Sequence, residues 1–470
     1  MAEITTSSAR TAPPTWRSAR PSFLAGSPVS PTVPALPGLP VLGNLLAFRK
    51  DRLAIHDDAA ALGPIVRFSL VHIPVYSVCD ADLAHEVLVT QAAAFGKSAG
   101  LQFLMPLLGD GLLTAEGETH KRHRKLLSPA FAPKRLAAYG AQMVEETRRQ
   151  CESWGTSRLV DLSHEMMEMT LAIAGRTLFG ADVRGDARTV GTGLEMAMRA
   201  MIAGLTSPIQ VGYDWPLPRH LRMRRAVKML DEVVYRLIAD GRRAGTDRGD
   251  VLSMLLLAQD EEGGLTDTQV RDEVMTLLLA GHETTANALT WTWYELGRNP
   301  DAMARLVAEV DHVVGSRPVT ADDLPAMPWT AAVIDEAMRL HPPAYQTGRE
   351  TKQEITLGGH VLPPGAIVAI NIRGIHRRAD YFPAPLAFRP ERMFAEAKKA
   401  RPRHHYLPFG AGPRVCIGSH FALMEAQLAL ATMAQHAKVH TLATHLEPEP
   451  LVTLRPKGGL PARVSRRVAN

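Results

Sequence analysis

From Leu265 onward, apolar positions recur at helical spacing through Val274, Leu277, Leu278, Ala288, Leu289 and Trp293 to Gly297 and Pro300. That pattern predicts a helix of about 30 residues, or roughly 45 Å. Its start is well marked: Thr266 stands as N-cap, Gln269 closes a capping box, and Leu265 and Val270 form the hydrophobic staple. The middle is apolar on nearly every side, so the helix is expected to be buried at the centre of the domain. Polar residues interrupt that middle. Ala280-Gly281-His282-Glu283-Thr284-Thr285 places a helix-weakening Gly, an acid and two hydroxyls where unpaired polar groups are costly. A buried Thr can bond back to the carbonyl four residues earlier, and with a Gly nearby this can bend a helix and open a polar notch. Taken alone, the segment reads more plainly as a satisfied core Thr and a partly exposed Glu.

Elsewhere the turn signal Pro363-Pro364-Gly365, flanked by Val361, Ile367 and Val368, marks strands. Residues 1–34 are rich in Ser, Thr, Ala and Pro without apolar periodicity, so a disordered tail is expected there. Length alone suggests roughly two to four domains. Nothing after about residue 40 looks like a linker, however, and residues 35–470 are expected to form one domain. No internal repeat is evident.

Composition narrows the class. The chain is 46% hydrophobic and 21% charged, which suits a globular protein with a sizeable core. No window reaches the roughly 18 apolar residues of a membrane span, and no secretory apolar centre is present, so a soluble cytoplasmic protein without a transmembrane anchor is expected. An organelle transit peptide is the alternative for the Arg-containing tail, whose one acid is Glu3. The net charge of +5 permits an acidic protein partner and does not call for nucleic acid. Cys79, Cys151 and Cys416 are too few and scattered for a disulfide framework or a zinc site.

One cysteine has unusual neighbours. Phe409-Gly410-Ala411-Gly412-Pro413-Arg414-Val415-Cys416-Ile417-Gly418 precedes an apolar helical run from Phe421 to Ala431. Two glycines before the Cys allow a tight turn, Gly418 leaves room for something flat and bulky, and a helix N-terminus favours a thiolate able to ligate a metal. A lone Cys is by default a small buried hydrophobe. Here all ten positions fit F-G-x-G-x-R-x-C-x-G, and the stretch resembles the haem-binding loop of the cytochrome P450 superfamily, whose iron carries an axial Cys thiolate.

Other segments resemble the same family in the same order, over essentially everything from Pro34 onward. Ala280 to Thr285 is similar to its oxygen-binding segment, which implies that Thr284 hydrogen-bonds dioxygen, that Glu283 relays protons, and that Ala280 and Gly281 lie against the haem. Glu336-Ala337-Met338-Arg339 and Arg389-Pro390-Glu391-Arg392-Met393 resemble its structural triad, which assigns Glu336, Arg339 and Arg392 to folding and haem retention. Gly117 to Arg124 resembles the helix crossing the haem edge. By that resemblance His120, Arg124, Arg349 and Arg414 hold the propionates, as a guanidinium suits a carboxylate. Lys121 and Lys125 read as a solvated face. The segment His376 to Phe382 lacks the Trp that many relatives carry there, so its alignment is approximate.

The resemblance implies a mainly α fold with a small β lobe (α+β), the lobe lying near Ile65–Val78 and Leu451–Val464, with the long central helix over the haem. It implies non-covalent haem b ligated by Cys416, with Phe409, Gly410 and Gly418 around it. The activity implied is a monooxygenase that hydroxylates or epoxidises a lipophilic terpenoid, steroid, fatty acid or macrolide. No Gly-rich dinucleotide fingerprint is evident, so electrons are expected to come ultimately from NAD(P)H through a separate ferredoxin and ferredoxin reductase. Lys121, Arg122, Lys125, Arg401 and Arg403 could dock an acidic partner. Substrate contacts are placed in Phe95–Leu113, around Met196, Met198, Met201 and Leu205, and in Pro342–Gly348, although core packing explains most of these equally well. A haem-thiolate isomerase or peroxide-driven enzyme, and a non-catalytic haem sensor or carrier, are the competing classes. Retention of Glu283 and Thr284 argues against the first, and turnover with a surrogate redox system would separate the second.

Overall fold

The computed structural model describes residues 33–207, 211–260 and 263–467. The tail expected to be disordered lies outside the described residues except at its end: Val33 is buried and the Pro34 carbonyl accepts from the Arg67 N–H at 2.7 Å, so packing begins there.

The predicted long helix is Asp267–Arg298, 32 residues. Its capping box forms as expected, with the Gln269 N–H donating to Thr266 Oγ1 at 3.3 Å and the Thr266 N–H to Gln269 Oε1 at 2.9 Å. Gly281 does not break it, and the helix runs one residue past Gly297 before Pro300 opens the next, Pro300–Val313. Most of its length is buried, packed against Leu162–Leu178, Pro218–Ala244, Pro328–Leu340 and Ser419–His436. Apolar residues on almost every face are satisfied because helices surround it.

The β lobe is one five-stranded sheet and smaller hairpins. In the sheet the order is Ile65–Leu70, Ile73–Val78, Ile367–Ile370, Thr347–Thr351, Phe95–Lys97. Ile367–Ile370 runs parallel to Ile73–Val78, Val368 facing Tyr76, and every other pairing is antiparallel. Near the C-terminus, Pro461–Arg466 pairs with both Ala437–Thr441 and Arg158–Asp161, and Pro448–Pro450 pairs with Leu454–Pro456. The turn at Pro363-Pro364-Gly365 exists, with Gly365 at φ 77° and its N–H donating to the Thr351 carbonyl at 2.8 Å. Phe95–Lys97, Arg158–Asp161 and Ala437–Thr441 carried no strand signal in the sequence; tertiary pairing recruits them. No described helix is long and apolar enough to cross a membrane.

Candidate active site

Between the central helix, the sheet and the loop before Ser419–His436 lies a cavity of about 560 Å³. Cys416, Phe409, Gly410, Arg414 and Gly418 face it from the loop, Ala280, Gly281, Glu283 and Thr284 from the central helix, and Arg349 from the sheet. Sequence-distant candidates therefore meet on one void.

The loop holds its cysteine by a local device. The Cys416 N–H donates to the Phe409 carbonyl at 3.0 Å, closing a tight turn. Gly412, at φ 71°, lies so close to the Leu88 carbonyl that a Cβ would stand 1.8 Å from its oxygen, while Gly410, at φ 69°, opens onto free space. Only glycine meets both demands. Cys79 and Cys151 are buried, but Cys416 is exposed, and its exposure is to the cavity it lines.

The expectation of a thiolate favoured by a helix N-terminus needs correction. The helix starts at Ser419 with Gly418 as N-cap, so Cys416 precedes the cap by two residues. Burial pushes the thiol pKa up; the Gly418 N–H and Arg124 pull it down and lose. A free thiol is thus neutral here, and a positive centre in the cavity is needed to hold it as thiolate.

In the central helix Thr284 Oγ1 donates to the Ala280 carbonyl at 2.9 Å, the back-bond expected of it. Glu283 is buried, not partly exposed, and accepts from Thr453 Oγ1 at 2.5 Å; that hydroxyl accepts in turn from Asn287 Nδ2 at 3.1 Å. Burial raises the Glu283 pKa, while Thr453 and Arg455 oppose the rise. The carboxyl is thereby held as a group that can keep a proton. A second acid, Glu425, is fully buried on Ser419–His436 beside Thr285, neither carboxyl oxygen forming a hydrogen bond, and burial pushes its pKa well up.

A cationic cluster forms the third side. Lys97, Arg349 and Arg414 all line the cavity. Arg414 meets Glu116 at 3.2 Å and donates to the Ala115 carbonyl at 2.7 Å; Arg349 donates to the Gly348 carbonyl at 2.8 Å and to Thr347 Oγ1 at 3.1 Å; Lys97 Nζ donates to the Leu113 carbonyl. Burial and mutual repulsion push Lys97 down to about 7 and Arg349 to about 10. Crowded cations with one carboxylate between them ask for further anions. His120 and Arg124 stand behind this wall and do not line the cavity: Arg124 donates to the Val415 carbonyl at 2.8 Å, and His120 is buried, its pKa lowered to about 4 by burial and by Arg414, Lys97 and Arg124.

Beneath the site Glu336 and Arg339 are fully buried and joined by two bonds of 2.8 Å, and Arg392 approaches Glu336 at 3.3 Å.

Residues 33–460 match the family model for cytochrome P450. The chain belongs to the cytochrome P450 family. Among its relatives, cyclooctatin synthase of Streptomyces melanosporofaciens is 38% identical over 88% of this chain and 92% of its own length. Cyclooctat-9-en-7-ol 5-monooxygenase of the same organism is 34% identical over 84% and 86%, and pentalenene oxygenase of Streptomyces avermitilis is 32% identical over 85% and 89%. This P450 is accordingly an oxidoreductase of the monooxygenase kind, and its family implies a haem-thiolate cofactor.

The donor set fits that cofactor. A cavity-facing thiol, room at Gly410, and three cations short of counter-charge match a ligand for iron, a flat ring and two carboxylates. Of the substrate-contact expectations, Leu101, Leu104, Leu108, Met198, Met201 and Leu205 line the cavity. Phe103, Met105 and Met196 do not; Phe103 packs on Gly204 instead. In the docking patch expected from the sequence, Arg401 is half-buried over the Phe382 ring at 4.6 Å and Lys121 is tied to Glu118 at 2.6 Å. Sequence reasoning missed Lys97, Thr453, Asn287 and Glu425. A Lys within Phe95–Leu113 was the one available signal; the rest act through contacts distant in sequence.

Proposed function

We propose that this P450 holds haem b with Cys416 as axial thiolate and hydroxylates or epoxidises a terpenoid, using electrons ultimately from NAD(P)H through a ferredoxin and its reductase. The observation that carries it is the convergence of Cys416, the Glu283–Thr284 notch and the cationic cluster on one cavity. Bound there, haem would supply dioxygen activation.

The chain supplies the rest. Lys97, Arg349 and Arg414 would hold the propionates, with His120 and Arg124 supporting them from behind. Thr453 Oγ1 fixes Glu283, whose raised pKa lets its carboxyl carry a proton to the notch where Thr284 presents its hydroxyl. Aliphatic walls exclude water and accept a lipophilic ligand. Terpenoid is favoured over steroid, fatty acid and macrolide because the relatives above are named for a terpene hydrocarbon, a terpene alcohol and a terpenoid product.

The test is the spectrum of the reduced, carbon monoxide-bound protein, followed by turnover of polycyclic terpenes with a surrogate ferredoxin system. A strongly red-shifted Soret band, lost in Cys416→Ala, and an oxygenated product are expected. A histidine-type band overturns the ligand, and a normal band with no terpene oxidised overturns the substrate class. Lys121→Glu with Arg122→Glu should slow reduction and flatten its salt dependence; unchanged kinetics would remove that docking face.

A further inference from the structure

Glu283, Asn287 and Trp291 stand four apart on the central helix and so share one face. All three reach the same hairpin, formed by Pro448–Pro450 and Leu454–Pro456. Glu283 Oε1 accepts from Thr453 Oγ1 at 2.5 Å, Asn287 Nδ2 donates to that same Oγ1 at 3.1 Å, and Trp291 Nε1 donates to the Leu454 carbonyl at 3.1 Å. From the other side the hairpin is held by the Tyr345 hydroxyl, which donates to the Leu451 carbonyl at 3.0 Å, and by the Pro343 carbonyl, which accepts from the Leu454 N–H at 2.9 Å. Thr453 is thus fixed on both sides where it meets Glu283.

This chain of bonds has a direction. A hydroxyl carries one hydrogen, and an amide nitrogen only donates. Because Asn287 occupies a lone pair of Thr453 Oγ1, the hydroxyl hydrogen is turned toward Glu283 Oε1. That oxygen accepts and has no room for a proton of its own, since an O–H there would set two hydrogens between oxygens 2.5 Å apart. Glu283 Oε2 is placed differently. It forms no hydrogen bond and, unlike both carboxyl oxygens of Glu273 and Glu425, it is not sealed in the core; its side chain lines the cavity beside Thr284. A purely structural acid does not need this asymmetry: Glu336 has both oxygens bonded to Arg339.

We infer that Thr453 and Asn287 are positioning residues that confine the proton of Glu283 to Oε2, the oxygen open to the cavity. This rests on the proton-carrying role proposed for Glu283 above and deepens it. When the Oε2–H bond breaks, its proton enters the cavity at the notch that Thr284 shares. The carboxylate left behind keeps the Thr453 bond on Oε1 and takes its next proton on Oε2 from water in the cavity. Burial favours the protonated form, while Thr453 and Arg455 steady the ionised one.

The test is infrared spectroscopy of the holoenzyme between about pH 5 and 8, following the carbonyl stretch of the protonated Glu283 carboxyl, identified by its loss in Glu283→Gln. Because Thr453 donates to the carbonyl oxygen, Thr453→Val should move that band to higher frequency, and Thr453→Ser, which keeps the hydroxyl, should restore it. Asn287→Leu should move it part of the way, which tests the chain even where Thr453→Val loses haem. NAD(P)H oxidation with a surrogate ferredoxin system and the tricyclic terpene cedrene as probe should slow about tenfold in Thr453→Val, the scale of one lost hydrogen bond, with a larger solvent isotope effect. Thr453→Ser should restore both. A band that stays in place in Thr453→Val, or that moves alike in Thr453→Ser, overturns the assignment and leaves Glu283 in its proposed role. Oxidation unslowed in Thr453→Val but slowed in Glu283→Gln does the same. Oxidation unslowed in both, or no band lost in Glu283→Gln, overturns the proton-carrying role and this inference with it.

Discussion

Two buried acids on neighbouring helices have opposite surroundings. Glu336 accepts from Arg339 through both oxygens, from the Arg389 N–H at 2.9 Å, and lies 3.3 Å from Arg392; Arg339 spends its remaining donors on the carbonyls of His376, Pro385 and Ala387. Glu283 has one listener, Thr453, and otherwise faces a cavity beside Thr284. A saturated network has no valence left for a substrate and can only specify structure, while an unsaturated one costs stability and keeps its groups free for chemistry. The same residue type thus builds the fold in one place and, on the proposed reading, is left free for the reaction in another.

The sharpest break in that comparison is Arg339→Leu. It takes from the buried Glu336 its two-bond partner, leaving only Arg392 at 3.3 Å and the Arg389 N–H, a loss of up to about 3–5 kcal/mol. Holoprotein yield and melting temperature should both collapse; a variant that melts normally would show that the network does not carry the fold. Glu283→Gln should do the reverse, leaving melting nearly unchanged and lowering product turnover about 100-fold, the scale of a lost proton-transfer group. If turnover holds and stability falls, Glu283 belongs with Glu336. Thr284→Ala removes one hydroxyl from the notch and should divert oxygen to peroxide, lowering product formed per NAD(P)H about tenfold with haem content intact. Normal coupling would take Thr284 out of the mechanism.

The difference between the two acids was only partly legible in the sequence. Signals carried by consecutive residues were readable: the Cys416 loop, the capping box at Thr266 and Gln269, and the helix-spaced Glu336 and Arg339. What completes each site comes from afar. Thr453 lies 170 residues from Glu283, and Lys97 joins Arg349 and Arg414 only because Phe95–Lys97 pairs with Thr347–Thr351. No periodicity announces such partners, since each is set by how the sheet and C-terminal hairpin dock. The helix-dipole account of Cys416 fell short for a related reason: local spacing does not show that the helix begins only at Ser419 or that burial outweighs the Gly418 N–H at the free thiol.

The smallest expected effect separates the two regions by pH. His376 is fully buried beside the network of Glu336 and Arg339: its carbonyl accepts from Arg339 and its Nε2 accepts from the Leu407 N–H at 2.8 Å, while its Nδ1 forms no hydrogen bond. Burial, helped by the Arg339 charge, lowers its pKa to about 3, far below the ordinary 6.5. The folded protein therefore resists a proton that the unfolded chain takes up. Stability from the neutral ring is complete above about pH 6.5 and is lost as pH falls from there toward about 3, by up to about 1.4 kcal/mol per pH unit. His376→Gln keeps an acceptor for Leu407 without the titrating ring, so its melting temperature should be somewhat lower near pH 7 and fall less steeply between pH 6 and 4. Glu283→Gln should steepen that acid slope, because the raised Glu283 pKa lets the folded protein keep a proton that the unfolded carboxyl has lost, a contribution that grows as pH falls toward about 4.5 and opposes the His376 loss. An acid slope that becomes shallower in Glu283→Gln and does not move in His376→Gln would mean that the cavity wall, and not the network beneath it, limits stability.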